Sequence, residues 1–421
     1  MKIKNRPLSY EEVLALPEQA HMQPKRPNMF FRTLLKAVGA SDLKATDFTY
    51  ETEGMERLGK DEPALFLMNH SSIIDLKIAC TILYPRPFNI ICTSDGFVGK
   101  NWLMRELGCV PTQKFVSDVR LVRDMKFIAD KLQDSILMYP EASYSFDGTA
   151  TPLPESVGKL LKLLKIPVVM IKTSGAFLRD PLYNMLQLRK VKVSAKMTYV
   201  LSPEDIKEKS VDELNAVLKE LFTFDNFRDQ QEAGVIVDEP FRADGLNRVL
   251  YKCPACEAEG RMTGKGTELR CESCGKVWEL TETGFLKAAD GEDIFDHIPD
   301  WYAWERQQVR EELLSGSYRL DIPVLIRVLK DTKSLYTVGE GRLLHTAEGF
   351  HLTGGGGALD YSQDPSDSYS LYSDYFWYEL GDMICIGTNK LLYYCFPLEG
   401  GDVVAKTRLA AEELFKLKRK G

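Results

Sequence analysis

The stretch Asn69-His70-Ser71-Ser72-Ile73-Ile74-Asp75 puts an imidazole and a carboxylate five residues apart. Imidazole titrates near neutrality and can take a proton from an alcohol. A carboxylate on its other ring nitrogen fixes the tautomer and stabilises the imidazolium that forms. Such a pair activates a hydroxyl for attack on an electrophilic carbonyl and needs no serine nucleophile. Residues five apart on a continuous helix diverge by about 140°. The two side chains therefore meet only if His70 lies in a loop and Asp75 in the first helical turns. A histidine at such a place can also do no more than cap a helix or satisfy a loop carbonyl, so the surrounding sequence has to decide.

Ala64-Leu65-Phe66-Leu67-Met68 is a candidate buried strand just before the pair, and Ser71-Ser72 can cap a helix starting near Ile73. At the carboxyl end of a strand in an α/β sheet, side chains point into the crevice where ligands bind. Further strands are expected at Phe88–Cys92, Ser135–Tyr139 and Ile166–Ile171, with helices over Leu121–Leu132 and Lys159–Leu164. The alternation of Val191, Val193, Ala195, Met197 and Tyr199 with polar residues marks a half-exposed strand near one edge. Ser202-Pro203-Glu204-Asp205 opens a helix with a capping serine and a proline at the first position. Strands alternating with helices predict an α/β domain with a mixed sheet flanked by helices over residues 1–247.

A second chemical signal lies at Cys253-Pro254-Ala255-Cys256 and Cys271-Glu272-Ser273-Cys274. Two Cys-x-x-Cys pairs across a short hairpin supply four thiolates for tetrahedral zinc, and four leave no open position for substrate. The expectation is a structural zinc ribbon over 248–287, which cannot build a core without its metal. An iron centre of rubredoxin type and a redox dithiol are the alternatives. The basic residues here (Lys252, Arg261, Lys265, Arg270, Lys276) interleave with Glu257, Glu259, Glu268, Glu272 and Glu279, the pattern of a solvated or docking surface rather than a nucleic-acid face. A helical linker over 288–316 follows. Residues 317–421 read as a β-rich domain with a closing helix from Val403 to Leu417, resembling in architecture a small barrel of pleckstrin-homology type.

The 421 residues carry a formal charge of −7, which speaks against bulk electrostatic binding of nucleic acid. No apolar run approaches the roughly 18–20 residues needed to cross a bilayer. Met1-Lys2-Ile3-Lys4-Asn5-Arg6-Pro7 leads into Tyr10-Glu11-Glu12 rather than an apolar stretch, so no signal peptide is expected. The remaining five of nine cysteines are scattered, as in a reducing compartment. The reading is a cytoplasmic protein attached peripherally to the inner membrane surface. The basic, apolar segment Lys25–Val38 is the candidate contact.

Taken together, residues 60–180 resemble the glycerolipid acyltransferase superfamily, whose best-known members acylate 1-acyl-sn-glycerol-3-phosphate. The family's His-x4-Asp block falls on His70 and Asp75. Its Gly-x-x-Phe-x-x-Arg block falls on Gly108–Lys114, its Phe-Pro-Glu-Gly-Thr-Arg-Ser block on Tyr139–Ser145, and its Val-Pro-x-x-Pro run on Ile166–Met170. The resemblance implies transfer of a fatty acyl group from acyl-CoA or acyl carrier protein to a lipid hydroxyl, most simply that of lysophosphatidic acid. His70 would be the general base, Asp75 would orient it, and Asn69, Lys114, Glu141 and Ser143 would stand on the acceptor side. Two departures bear on the acceptor. The arginines that the family associates with phosphate are here Lys114 and Tyr144. Lysine is a point charge without arginine's fork, and tyrosine carries no charge. Arg120, Arg123 and Lys172 are candidates to compensate. An O- or N-acyltransferase for a non-phosphate acceptor, and a non-catalytic lipid- or protein-binding scaffold, are the competing readings.

Overall fold

The computed structural model describes residues 3–116, 118–399 and 401–420. Met1 and Lys2 of the basic start lie outside them. The first strand, β1 (Asn5–Pro7), belongs to the sheet formed by the end of the chain and is taken up there.

The first large sheet has seven strands: β2 (Thr49–Glu53), β3 (Leu65–Met68), β4 (Phe88–Thr93), β5 (Cys109–Thr112), β6 (Ser135–Met138), β7 (Val168–Ser174) and β8 (Ser194–Leu201). Their order is β2-β8-β7-β3-β6-β4-β5. Only the β7–β8 pair is antiparallel, so the sheet is mixed. Strands β3 and β6 are buried at every residue, which follows from helices covering both faces. One face packs on the helices Met29–Ala45 and Ile74–Ile82, the other on Val119–Phe127, Ser156–Leu164 and Val211–Leu221. Parallel pairing brings the carboxyl ends of β3, β4, β5, β6 and β7 to one edge of the sheet, where the first three sequence blocks end, while the fourth, Ile166–Met170, lies at the amino end of β7.

Differences from the sequence reading have local causes. The strand expected at Ile166–Ile171 begins at Val168, because Pro167 has no N–H to pair and offers only its carbonyl, to the Leu65 N–H at 2.8 Å. The helix expected over Leu121–Leu132 is α-helical from Val119 to Phe127 and then widens into a π-turn to Leu132. Edge strand β2 was not foreseen: Thr-Tyr-Glu-Thr-Glu is exposed throughout and reads as a polar loop. Its charges suit an unpaired edge, and Glu53 pairs with Lys196 of β8 at 2.7 Å. Ser202 and Asp205 form the expected capping box.

The cysteine segment holds four short antiparallel strands: β9 (Met262–Lys265), β10 (Glu268–Cys271), β11 (Val277–Leu280) and β12 (Leu286–Ala288). Trp278 of β11 is wholly buried and meets Trp301 edge-on at 4.9 Å between centroids. Trp301 sits on the helix Ile298–Ser315, opened by Pro299 in its first turn, so the segment 288–316 expected as a helical linker is helical only from Ile298. Gly316 ends it in a left-handed conformation (φ 75°).

The β-rich part comprises β13 (Leu320–Leu329), β14 (Leu335–Thr346), β15 (Gly349–Gly354), β16 (Leu359–Gln363), β17 (Tyr372–Asp374), β18 (Met383–Gly387) and β19 (Leu392–Pro397). They run antiparallel in the order β16-β15-β14-β13-β19-β18-β17, and β1 adds in parallel to β14. Among the described residues β16 and β17 do not pair, so the sheet stays open rather than closing into a barrel. The closing helix, Val403–Lys420, packs at that opening against residues 365–367 and β17. His345, which has no partner recognisable in sequence, bonds the Tyr318 hydroxyl at 2.9 Å and stacks on Phe350.

The expected boundary at 247/248 is not a gap in the packing. One buried cluster runs from Tyr10, Phe146 and Phe177 through Tyr251, Trp278 and Trp301 to Val324, Tyr375 and Leu409. The N-terminal residues, the first sheet's loops, the ribbon and the last sheet share this core.

Candidate active site

His70 leaves the end of β3 as the chain turns from strand into the helix Ile74–Ile82. Asn69, fully buried, sets the turn. Its Oδ1 accepts from the Thr173 N–H of β7 at 2.8 Å, and its Nδ2 donates to Ser71 Oγ at 3.1 Å. Asp75 lies in the first helical turn and folds back. Its Oδ2 accepts from the N–H groups of Ser71 (2.7 Å) and Ser72 (3.0 Å), and from His70 Nδ1 at 3.1 Å. The break between loop and helix is thus made by Asp75, whose charge also suits a helix N-terminus. Ser72 Oγ contributes only a long contact to the Ile74 N–H at 3.4 Å. With Nδ1 committed, Nε2 is the ring nitrogen free to take a proton. The Asp75 side chain has no exposure and that of His70 keeps 19%, so the imidazole is the edge of the pair that a substrate can reach.

The His70 ring is held between two aromatic rings. Tyr139, at the end of β6, and Tyr144 each stand 4.2 Å away, centroid to centroid. Burial pulls the His70 pKa below its ordinary value, against the opposing pull of Asp75, and Lys114 adds a smaller downward push. The shift favours the neutral imidazole, the form able to accept a proton.

Glu141 sits beneath the site with no exposure. Oε2 accepts the His70 N–H and Oε1 the Thr151 N–H, both at 2.9 Å. Burial pushes this carboxyl up to about 7. Expected on the acceptor side, it has both oxygens engaged with backbone N–H groups and holds the loop that carries His70. Ala142 follows with φ 54°, where the family block has glycine. The Ser143 hydroxyl, also expected to face the acceptor, is buried between the Tyr144 carbonyl and Arg408 of the closing helix, at 3.1 and 3.2 Å. Asn69 likewise spends its amide on Thr173 and Ser71. The structure thus leaves His70 and Tyr144 at the accessible edge, with Asp75, Asn69, Glu141 and Ser143 buried behind them.

Lys114 comes off the end of β5, and its ammonium lies 4.2 Å from the centroid of the Tyr372 ring on β17. Of the other candidate cations, Lys172 donates to the Thr223 carbonyl at 3.4 Å and Arg123 is exposed. Arg120 lines a cleft of about 160 Å³ further along the sheet edge, with His21, Gln113, Asp124 and Lys330.

Sequence reasoning missed the contribution of the last sheet. Tyr372, Trp377 and Tyr378 pack with Val98, Phe115 and Ala142, so the loops of the second and third blocks are docked on the C-terminal part. The aromatic run 375–378 carried the only local hint, and it reads as core packing.

The four cysteines converge. Their sulfurs lie within 4.8 Å of one another, with Cys253–Cys274 at 3.8 Å and Cys256–Cys271 at 3.7 Å. Four sulfurs at about 2.3 Å from a tetrahedral ion stand about 3.8 Å apart, so the quartet has the dimensions of a metal site.

Residues 49–173 match the family model described as Acyltransferase, and all four blocks fall inside that segment. Among solved structures, the chain is similar to the 1-acyl-sn-glycerophosphate (LPA) acyltransferase PlsC from Thermotoga maritima. The identity is 19%, the match covers 45% of this chain and 76% of that one, and the TM-score is 0.36. No curated protein matches the chain in sequence.

In an NMR titration, His70 is predicted to protonate with a midpoint below 6.5. Asp75→Asn removes the upward pull and should move the midpoint lower still. The same sign governs stability: the unfolded chain takes the proton first, so stability falls as pH drops through 6.5 towards the folded value. A midpoint at or above 6.5 would contradict the burial of the ring.

Proposed function

From the place of residues 49–173 in the acyltransferase family, we propose that this protein transfers a fatty acyl group from a thioester to a hydroxyl of a membrane lysolipid. The observation that carries the reading is the buried Asp75 carboxylate on His70 Nδ1, which leaves Nε2 free at the accessible edge. The acceptor hydroxyl gives its proton to Nε2 as its oxygen attacks the thioester carbonyl. Asp75 stabilises the imidazolium. When the tetrahedral intermediate collapses the thiolate leaves, and the proton on Nε2 is available to it. The donor is acyl-CoA or acyl carrier protein, which present the same acyl-thioester arm. Lysophosphatidic acid is the reference acceptor from the family resemblance.

His70→Ala should lower acyl transfer from oleoyl-CoA or oleoyl-acyl carrier protein by about 10²–10⁴, with fold and metal content unchanged. Turnover within twofold of the parent would remove His70 from the mechanism.

We further propose that the cysteine quartet holds one structural zinc. The all-sulfur donor set and the tetrahedral spacing support it. Trp278 and Leu269 of the ribbon lie in the continuous core, so loss of the ion should be felt throughout. Cys256→Ser is predicted to abolish stoichiometric zinc by elemental analysis and to lower the midpoint of thermal unfolding. Full zinc retention would refute the assignment.

Among the described residues, no helix is long and apolar enough to cross a membrane. A surface route to lipid is present instead. On the helix Met29–Ala45, Phe30, Leu34 and Val38 recur every four residues and are all exposed, to 68%, 41% and 62%. They form one apolar stripe opposite the buried Leu43, with Phe31 at its border against Phe30. Trp102, 68% exposed, meets Phe31 at 5.9 Å, and the exposed Ile73 and Leu76 extend the patch to the His70 loop. Lys25, Arg26, Arg32 and Lys36 belong to the same segment, set against Glu106, Asp134, the Pro85 carbonyl and the Tyr84 ring. This chemistry fits an anionic bilayer surface. Phe30→Ser with Trp102→Ser is predicted to cut sedimentation with phosphatidylglycerol vesicles about tenfold, while activity towards a short-chain soluble acceptor is kept. Undiminished vesicle binding would rule out this face.

A further inference from the structure

The cations that a phosphate-binding acyltransferase needs are missing or committed. Tyr144 stands where the family has arginine, and its ring is spent on His70. Arg408, the buried guanidinium nearest that turn, is occupied by Ser143 Oγ, by Glu412 Oε1 at 3.2 Å, and by the Phe146 ring at 4.4 Å. Lys114 remains, and it faces the C-terminal sheet. Its ammonium lies over Tyr372. Asp374 is two residues further along the same strand and therefore on the same face. Tyr372 is itself fixed there, donating its hydroxyl to Asp95 at 2.6 Å and accepting from Trp377 Nε1 at 2.9 Å.

Among the described residues neither Lys114 nor Asp374 has an ion-pair partner within 4.0 Å. Yet Asp374 is the charge that most strongly supports the Lys114 ammonium, and it also acts on the Tyr144 hydroxyl. Burial pushes the Asp374 carboxyl up to about 7, against the pull of Lys114. One cation and one carboxyl thus lie on the same face of β17 without closing on each other.

A phosphate monoester brings a charge of about −1.5 to −2 at neutral pH and no donor of its own. It would meet one ammonium, one opposing carboxyl and no fork. A phosphodiester with a polyol or amino substituent brings a single negative charge for Lys114 and O–H or N–H donors for Asp374. Resting on the acyl-transfer reading above, we propose that Asp374 is a specificity residue of the acceptor site. The site takes lysolipids whose head group carries its own hydrogen-bond donors and at most one negative charge, and it disfavours a phosphate monoester.

The test uses the full-length zinc-loaded protein in mixed micelles, with oleoyl-CoA and oleoyl-acyl carrier protein as donors. Lysophosphatidic acid, lysophosphatidylglycerol and lysophosphatidylethanolamine are the acceptors. Lysophosphatidylglycerol or lysophosphatidylethanolamine should exceed lysophosphatidic acid at least tenfold in kcat/KM. Asp374→Asn should shrink that ratio about tenfold, chiefly through KM for the donor-bearing head group. Tyr144→Arg, which supplies the fork without touching the C-terminal sheet, should raise use of lysophosphatidic acid about tenfold and keeps the test alive if the first variant does not fold. A parent enzyme that prefers lysophosphatidic acid, or a ratio unchanged by Asp374→Asn in a protein with normal zinc content, would overturn the proposal and leave the acyl-transfer reading standing. Absence of His70-dependent transfer to every acceptor with both donors would overturn both.

Discussion

One oxygen atom organises the candidate active site. Asp75 Oδ2 takes two backbone N–H groups and the His70 ring, and so decides where the strand-to-helix turn closes and which way the imidazole faces. Hydrogen bonds to an ionised acceptor are worth about 1.5–3 kcal/mol each, and a buried N–H left without a partner costs about 1–3 kcal/mol. The helix supplies the carboxylate that satisfies its own entry, and the imidazole is held by the group that must also stabilise its charged form. Structural and chemical demands fall on the same atom. The second oxygen, Oδ1, is buried without a protein partner, which concentrates the carboxylate's interactions on the side that faces the base.

A second carboxylate completes the hold from below. Glu141 takes the main-chain N–H of the residue whose side chain Asp75 takes, so His70 is gripped through ring and backbone by acids from two different strand ends. Tyr139 and Tyr144 close the two faces of the ring. These rings exclude water, and that desolvation is what lowers the basicity of His70. The arrangement exchanges some proton affinity for an imidazole held in one orientation.

What the sequence revealed follows the range of the interactions. The His70–Asp75 pair is local: five residues, one strand end and one helix start, all written in adjacent side chains. The ribbon was legible for the same reason, as each cysteine pair is a tight turn. The apolar run of β3 announced a buried strand, and the capping box at Ser202 announced its helix. Three features were hidden because they depend on partners hundreds of residues away. Strand β1 has no apolar period and exists because Leu335–Thr337 offers it an edge. The commitment of Ser143 is made by Arg408. The surroundings of Lys114 are made by Tyr372, from a strand whose only signature is a turn-flanked Tyr-Ser-Asp. Glu141 was legible as a site residue, but its two backbone partners were not, since Thr151 has no distinctive pattern.

The C-terminal sheet therefore bears on the chemistry mechanically. The loops of the second and third blocks each carry a non-glycine residue in the left-handed region, Phe115 at φ 61° and Ala142 at φ 54°. Such a conformation costs roughly 1–2 kcal/mol per residue. Phe115 recovers this by being buried to 7% exposure among Tyr372, Trp377 and Tyr394 and by meeting Tyr369 edge-on at 5.2 Å, while its carbonyl accepts the Ser368 hydroxyl at 3.0 Å. Burying a phenylalanine side chain contributes about 1.5–3 kcal/mol, enough to offset the strain. Ala142 packs against the same cluster with its smaller methyl group. Two loops that would be free to relax in the first sheet alone are thus held in their strained form by the last one. The seven-stranded sheet supplies His70, and the C-terminal sheet fixes the shape of the loops around it.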